Sequence, residues 1–256
     1  MPTIDLNCDL GESFGNYTLG LDEQVMDHIT SANIACGFHA GDPLVMGRTV
    51  ELAVPRHVGL GAHPGLPDLM GFGRRKMTCS PDELYHYTLY QIGALQSMAQ
   101  AHSGRLNHVK PHGALYHMVL EDRETARAVA QAVHDFDPSL FCVTLAGPKG
   151  DLMQDVSEDI GLRVMREAFP DRAYTAEGRL APRGTPGAVV TDPNLVAERA
   201  VKMACEHTVI STDGHPITLK AQTFCVHGDT PTALDLVKSI GLTLEKNGVT
   251  LQTMAG

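Results

Sequence analysis

The sequence predicts an α/β fold in which parallel strands close into a barrel with helices outside. Two observations carry that prediction. Strand-like apolar runs alternate with helix-like segments about seven times along the chain, the order that parallel strands joined by helical crossovers produce. The first run, residues 3–13, sets Asp5, Asn7 and Asp9 on one face and Ile4, Leu6, Cys8 and Leu10 on the other, because side chains two apart on a strand point the same way. An open doubly wound sheet fits the alternation equally well, and a surface edge strand fits the first run taken alone. A polar inner wall favours the barrel, since strands buried on both faces of an open sheet read as more uniformly apolar.

The elements follow in order. After the strand at 29–36, Asp42 caps a helix with Pro43 at its first position, and Pro55 stops it. A strand at 58–62 enters the segment 63–75, too rich in Gly and Pro for regular structure. Ser80 to Glu83 spell a capping box with Pro81 inside it, opening a helix to about residue 101. A strand at 106–109, a loop through Tyr116, a helix at 124–133, a strand at 140–146, a short helix at 152–156 and a strand at 162–168 come next. Residues 169–187 form a long irregular stretch holding Asp171, Arg172, Tyr174, Arg179 and Arg183, and connections of that length usually carry function or lack order. Asp192-Pro193 caps a helix to about residue 207. The last strand is 222–226, and Thr230-Pro231 caps a helix to about residue 246. No repeat, low-complexity tract or linker divides the chain, so residues 1–256 are expected to form a single (β/α) barrel domain.

Composition excludes several classes. The chain is 43% hydrophobic and 20% charged, ordinary for a globular protein. It has no run near the roughly 20 apolar residues of a membrane span and no signal-like start, so a cytoplasmic location is expected. A net charge of −10 disfavours nucleic acid and anionic membranes as partners. The six cysteines contain no C-x-x-C pair and read as buried free thiols.

In parallel α/β folds the site lies at the carboxyl ends of the strands. There the sequence places Asp9 and Glu12, Asn33 and His39, His63 and Asp68, Lys110 and His112, Glu167, then His227 and Asp229. A lone His or Lys at a strand end is more often structural, but six strand ends behaving alike point to a shared site. Hydrolysis needs a base for water, a donor for the oxyanion and an acid for the leaving group. Asp9 or Glu167 suits the base, and Lys110 and His112 the charge and the proton. Arg74, Arg172 and Arg183 suit a carboxylate or phosphate, which a guanidinium binds in bidentate fashion; surface salt bridges are their plain reading. Asp9, His39 and His63 form a one-Asp, two-His set for zinc or a similar ion. No H-x-x-x-H or H-E-x-x-H spacing supports it, so no metal is firmly expected. No P-loop and no G-x-S-x-G occurs, which leaves nucleotide chemistry to an unrecognised site or another protein.

The stretches at 5–15 and 33–43, Gly61-Ala-His-Pro64, Gly71-Phe-Gly-Arg-Arg75, Val109-Lys-Pro-His-Gly-Ala-Leu-Tyr116, Glu167-Ala-Phe-Pro-Asp-Arg-Ala-Tyr174 and Val226-His-Gly-Asp229 resemble the LamB/YcsF family over nearly the whole chain. Pro170, Gly65 and His117 depart from its usual Ala, Ser and Asn. The resemblance implies a seven-stranded parallel (β/α) barrel, glycoside hydrolase/deacetylase-like. It also implies part of an ATP-dependent 5-oxoprolinase that opens the lactam 5-oxoproline to L-glutamate. The 5-oxoprolinase subunits B and C are the implied partners and would bind most of the ATP. On that expectation the partners phosphorylate the lactam carbonyl oxygen. Asp9 or Glu167 activates water, Lys110 holds the phosphate or oxyanion, and His112 protonates the departing nitrogen. Asn7, Glu12, Asn33, His39, His63, Arg74, Arg172, His227 and Asp229 then bind the substrate. The alternatives are a metal-dependent deacetylase-like hydrolase using Asp9, His39 and His63, and a non-catalytic substrate-binding subunit.

Overall fold

Strands β1 (Thr3–Leu10), β2 (Ser31–Ala35), β3 (Gly59–His63), β4 (Leu106–Val109), β5 (Phe141–Leu145) and β6 (Arg163–Ala168) lie side by side in chain order, each parallel to the next. A small antiparallel hairpin, β7 (Thr208–Ile210) with β8 (Pro216–Thr218), stands apart. Strand β9 (Thr223–His227) pairs with both β6 and β1, and this closes a seven-stranded barrel. The two residues of β10 (Thr250–Leu251) pair with the start of β1. The structure is a computed structural model and describes residues 2–228 and 232–254.

Helices α1 (Asp22–Val25), α2 (Pro43–Ala53), α3 (Pro81–Ala101), α4 (Gly113–Glu121), α5 (Arg123–Phe136), α6 (Asp151–Asp159), α7 (Pro193–Glu206) and α8 (Ala233–Lys246) complete the chain. The expected caps form. Asp42 accepts from Leu44 N and Val45 N, Asp192 from Asn194 N and Leu195 N, and Ser80 and Glu83 bond reciprocally. Such caps satisfy backbone donors that a helix start leaves unpaired. Several elements differ from the sequence reading, α1 and β10 among them, which lie in stretches read without structure. Helix α4 occupies part of the expected loop after β4, and the β7–β8 hairpin lies in a stretch read without structure. Residues 169–187 contain neither helix nor strand, as expected. The cap at Thr230-Pro231 and the candidate Asp229 lie outside the described residues.

Alternation decides which side chains face inward. Leu6, Cys8 and Leu10 of β1, Ile34, Leu60, Val109, Phe224 and Val226 pack in the apolar shell beneath the helices. Inside, Val143, Met165 and Met254 form a separate small apolar cluster. Polar groups fill the layers toward the carboxyl ends. Gly61 faces inward on β3, and a Cβ there would fall inside the His108 ring; the missing side chain is what admits that imidazole.

Asp5 is 2% exposed and accepts hydrogen bonds from Thr30 Oγ1 at 2.7 Å, Ser31 Oγ at 2.6 Å and Thr223 Oγ1. Burial outweighs those bonds and pushes its pKa up to about 6. As pH rises from the unfolded value near 3.8 to about 6, the unfolded chain releases a proton that the folded chain still holds, so stability falls across that window. About two pKa units correspond to roughly 3 kcal/mol. Urea titrations between about pH 3.5 and 7 should therefore show wild-type stability dropping by that amount relative to Asp5→Asn, which has no such titration.

Candidate active site at the carboxyl ends of the strands

A cavity of about 350 Å³ opens at this mouth of the barrel, lined by Asp9, Glu12, His63, Arg74, Lys110, His112, Arg172, Arg183 and His227 among others. Its size lies at the small end of ordinary small-molecule sites. Lys110 stands at its floor. Its ammonium donates to Asp9 Oδ1 at 2.8 Å and Cys225 Sγ at 3.0 Å, and pairs with Glu167 Oε1 at 3.0 Å. Burial alone would depress Lys110, but Asp9 first, then Cys225 and Glu167, raise its pKa well above normal, so it stays charged. Burial would likewise raise Asp9, yet His63 and Lys110 beside it hold its carboxyl well below the usual range. Asp9 is thus a carboxylate at neutral pH, with Oδ2 3.4 Å from His63 Nε2.

A hydrogen-bonded layer supports that floor. His108 donates Nε2–H to Asn33 Oδ1 at 2.7 Å, and burial pushes its pKa down to about 3, so it is neutral. Asn33 Nδ2 then bridges Asn7 Oδ1 at 2.6 Å and Asp9 Oδ1 at 2.8 Å. Asn7 Nδ2 passes on to Glu167 Oε1 at 3.0 Å and Thr223 Oγ1 at 2.6 Å. Such a network fixes the orientation of Asp9 and Lys110 because each member is held by another.

On one wall three imidazoles meet. His63 donates Nδ1–H to the Lys110 carbonyl at 2.7 Å, and His112 donates Nε2–H to the Phe72 carbonyl at 2.8 Å. His63 Nε2 and His112 Nδ1 are left 3.0 Å apart. His39 stacks on His112 with 3.6 Å between ring centroids. On the other wall, His227 donates Nδ1–H to buried Asp171 Oδ2 at 3.0 Å and lies parallel to the Phe169 ring. This histidine–aspartate pair leaves Nε2 as the ring nitrogen that Asp171 does not hold. The segment after β6 that supplies Asp171 is pinned by Tyr174, whose hydroxyl accepts from Phe169 N at 2.8 Å, and by Arg199, which donates to the Pro170 and Arg172 carbonyls.

The structure brings most of the expected residues to one place. Asp9, Glu12, His63, Arg74, Lys110, His112, Arg172 and His227 line the cavity. Asn7, Asn33 and Glu167 lie in the layer below, and Glu167 reaches the site through Lys110. His39 is fully buried behind His112. Arg172 spends donors on the Ala181 and Ala188 carbonyls, bracing the segment from within. Asp68 caps the turn at Leu69–Gly71 and pairs with Arg75, a structural role. The expected ion set of Asp9, His39 and His63 is also rearranged. Asp9 is turned toward Lys110, and the donors that cluster are Glu12, His39, His63 and His112. Sequence reasoning missed Asp171, His108 and Cys225 as members of the site. For His108 a signal existed, since it precedes Lys110 by two and shares its face; Asp171 lies in irregular chain, and its place in the Glu167–Tyr174 motif was its signal.

Fold and cavity together define a (β/α) barrel with a polar core and its site at the carboxyl mouth. The chain belongs to the LamB/YcsF family, which it matches over residues 4–256. It is 53% identical over 246 residues to the A subunit of 5-oxoprolinase from Pyrococcus abyssi, covering 96% of this chain and 95% of that one. It superposes on the crystal structure of the lactam utilization protein from Thermus thermophilus with a TM-score of 0.92, at 46% identity, over 98% of this chain and 100% of that one. A T48 deacetylase shares the fold at a TM-score of 0.52 and 12% identity, over 98% of this chain and 88% of that one. No helix among the described residues is long and apolar enough to cross a membrane.

Proposed function

We propose that the chain is the ring-opening component of an ATP-dependent 5-oxoprolinase, converting 5-oxoproline to L-glutamate together with subunits B and C. The observation that carries this reading is the cluster of Asp9, Lys110 and His227 on one cavity, in a chain whose Pyrococcus relative is named as the A subunit of that enzyme. An unactivated lactam is a poor electrophile, and the carboxylate that lines this cavity beside Lys110 is a weak base, because its pKa is depressed. That pairing suits a substrate activated elsewhere. Phosphorylation of the lactam oxygen by the ATP-binding partners supplies the activation.

Asp9 then orients water and takes its proton as the oxygen adds to the ring carbon. Lys110 stabilises the negative charge that develops. Of its three acceptors the Cys225 thiol is the weakest, so an oxyanion displaces it most easily. The added hydroxyl gives up its remaining proton and re-forms a carbonyl as the carbon–nitrogen bond breaks, and both protons of the water end on the nitrogen, the last through His227 Nε2, so that it leaves as an amine. A second water hydrolyses the remaining acyl phosphate to glutamate and phosphate. Arg74 and Arg183 at the mouth suit the substrate carboxylate and phosphate. In this reading His227 replaces His112 as the acid, since His112 has one nitrogen on the Phe72 carbonyl and the other on His63. Glu167 positions Lys110.

Reconstitution tests the proposal. Glutamate formation from 5-oxoproline and ATP should require this chain as well as both partners; full activity of the partners without it would sink the reading. In the same assay His227→Gln should lower kcat about 10²-fold. Asp171→Asn should lower it about tenfold and displace the pH–rate profile, a change that a merely structural aspartate would not produce.

A further inference from the structure

We infer that Glu12, His39, His63 and His112 form a binding site for one divalent first-row transition cation, with zinc the best match to the donor set. Ring anchoring comes first. A carbonyl oxygen only accepts, so the bonds to Lys110 O and Phe72 O require Nδ1–H on His63 and Nε2–H on His112. When both rings are neutral, the opposite nitrogens carry lone pairs, and they face each other at 3.0 Å. Two lone pairs at that distance repel, and a cation between them converts the contact into attraction. Imidazoles whose outer N–H is tied to a backbone carbonyl are also the arrangement in which metal ligands are oriented.

His39 supplies the independent observation. It is fully buried, and neither of its ring nitrogens has a hydrogen-bond partner. An unsatisfied buried imidazole is costly and needs an explanation. Its Nε2 lies 3.6 Å from Glu12 Oε1, which in turn lies 3.9 Å from His112 Nδ1. The four donor atoms all fall within 4.8 Å of one another. Zinc bonds of about 2.0–2.2 Å place tetrahedral ligand atoms roughly 3.3–3.6 Å apart, and the separations found straddle that value. His63, His112 and Glu12 already face one another, whereas His39 lies flat on His112 and tilts as the ion enters.

The second cluster of donors, Asp9, Cys225 and His227, carries no such inference. The Lys110 ammonium already sits 2.8 Å from Asp9 and 3.0 Å from Cys225 and fills the cationic position. The ring-opening steps above use none of the four proposed ligands, so the inference goes beyond them. An ion held there would offer Lewis acidity to an oxygen in the cavity that Glu12, His63 and His112 line.

Chelator-washed full-length chain is titrated with Zn²⁺ by calorimetry and its metal content measured after gel filtration. We expect one zinc per chain and a Tm rise of about 5–10 °C at a hundredfold excess over Kd. Cobalt in place of zinc should give visible absorption bands of a four-coordinate site. His63→Gln/His112→Gln should lose binding, and Glu12→Gln should weaken it about tenfold. A zinc-edge anomalous map of the wild-type crystal keeps the test decisive where a variant does not fold, with a peak expected between the His63 and His112 rings. Sub-stoichiometric zinc, an unchanged affinity in folded variants, or a peak elsewhere overturns the inference. None of these readouts depends on ring opening.

Discussion

Replacing Lys110 with methionine is expected to lower glutamate formation by the reconstituted enzyme about 10³-fold and to destabilise the chain as well. The activity loss follows from removing the ammonium positioned for the developing oxyanion. The stability loss follows from burial. Lys110 is 2% exposed and Glu167 fully buried, and both Asp9 and Glu167 are paired with the ammonium. Removing one partner of a buried ion pair typically costs about 3–5 kcal/mol, because a charge is left without compensation. Glu167→Gln in the same chain should recover part of that stability without recovering activity, since it removes one of the stranded carboxylates. Urea midpoints and glutamate assays on the single and double variants check both halves. A Lys110→Met enzyme within about twofold of wild type would refute the role given to the ammonium.

The second large effect is structural. Gly61→Ala is expected to cost about 4 kcal/mol or more, beyond the usual 1–3 kcal/mol or so of an overpacked core. The added Cβ would meet three atoms of the His108 ring, and that ring cannot retreat without giving up its bond to Asn33, which orients Asp9 in turn. The clash therefore reaches the site through two hydrogen bonds. His108→Ala should relieve it, so that the double variant is more stable than the sum of the single changes predicts. An additive double variant, read from urea midpoints, would show that the imidazole is not what excludes a side chain at position 61.

Much of this arrangement was legible in the chain. The alternation of Asp5, Asn7 and Asp9 with Leu6, Cys8 and Leu10 announced a polar inner wall, and those polar residues do lie inside the barrel. The capping residues Asp42, Ser80 and Asp192 announced three helices for a local reason, because each needs only its own first turn. What alternation cannot reveal is height along the barrel axis. Glu167 and Asp9 both face inward, yet Glu167 is level with Thr223 whereas Asp9 is level with His227. Register between strands far apart in sequence sets that difference, and it places Glu167 under the floor. Helix α4 escaped notice because it starts at Gly113 with a φ of +53° and no side-chain cap. His39 read as a substrate contact because it ends a strand motif, but its neighbours His112 and Phe72 cover it. Asp171 stands in a motif with no period at all, and nothing in that motif names His227 as its partner, which the fold supplies.

One cavity, floored by Lys110 and Asp9 and walled by His227, is the proposed place of lactam opening. A crystal structure of the chain with 5-oxoproline bound tests it most directly. The lactam is expected in that cavity, with its carbonyl oxygen about 3 Å from Lys110 Nζ and its nitrogen within hydrogen-bond reach of His227 Nε2. A lactam seated in the neighbouring cavity lined by Lys149, Thr175 and Arg179, or bound with its carbonyl turned away from Lys110, would contradict it.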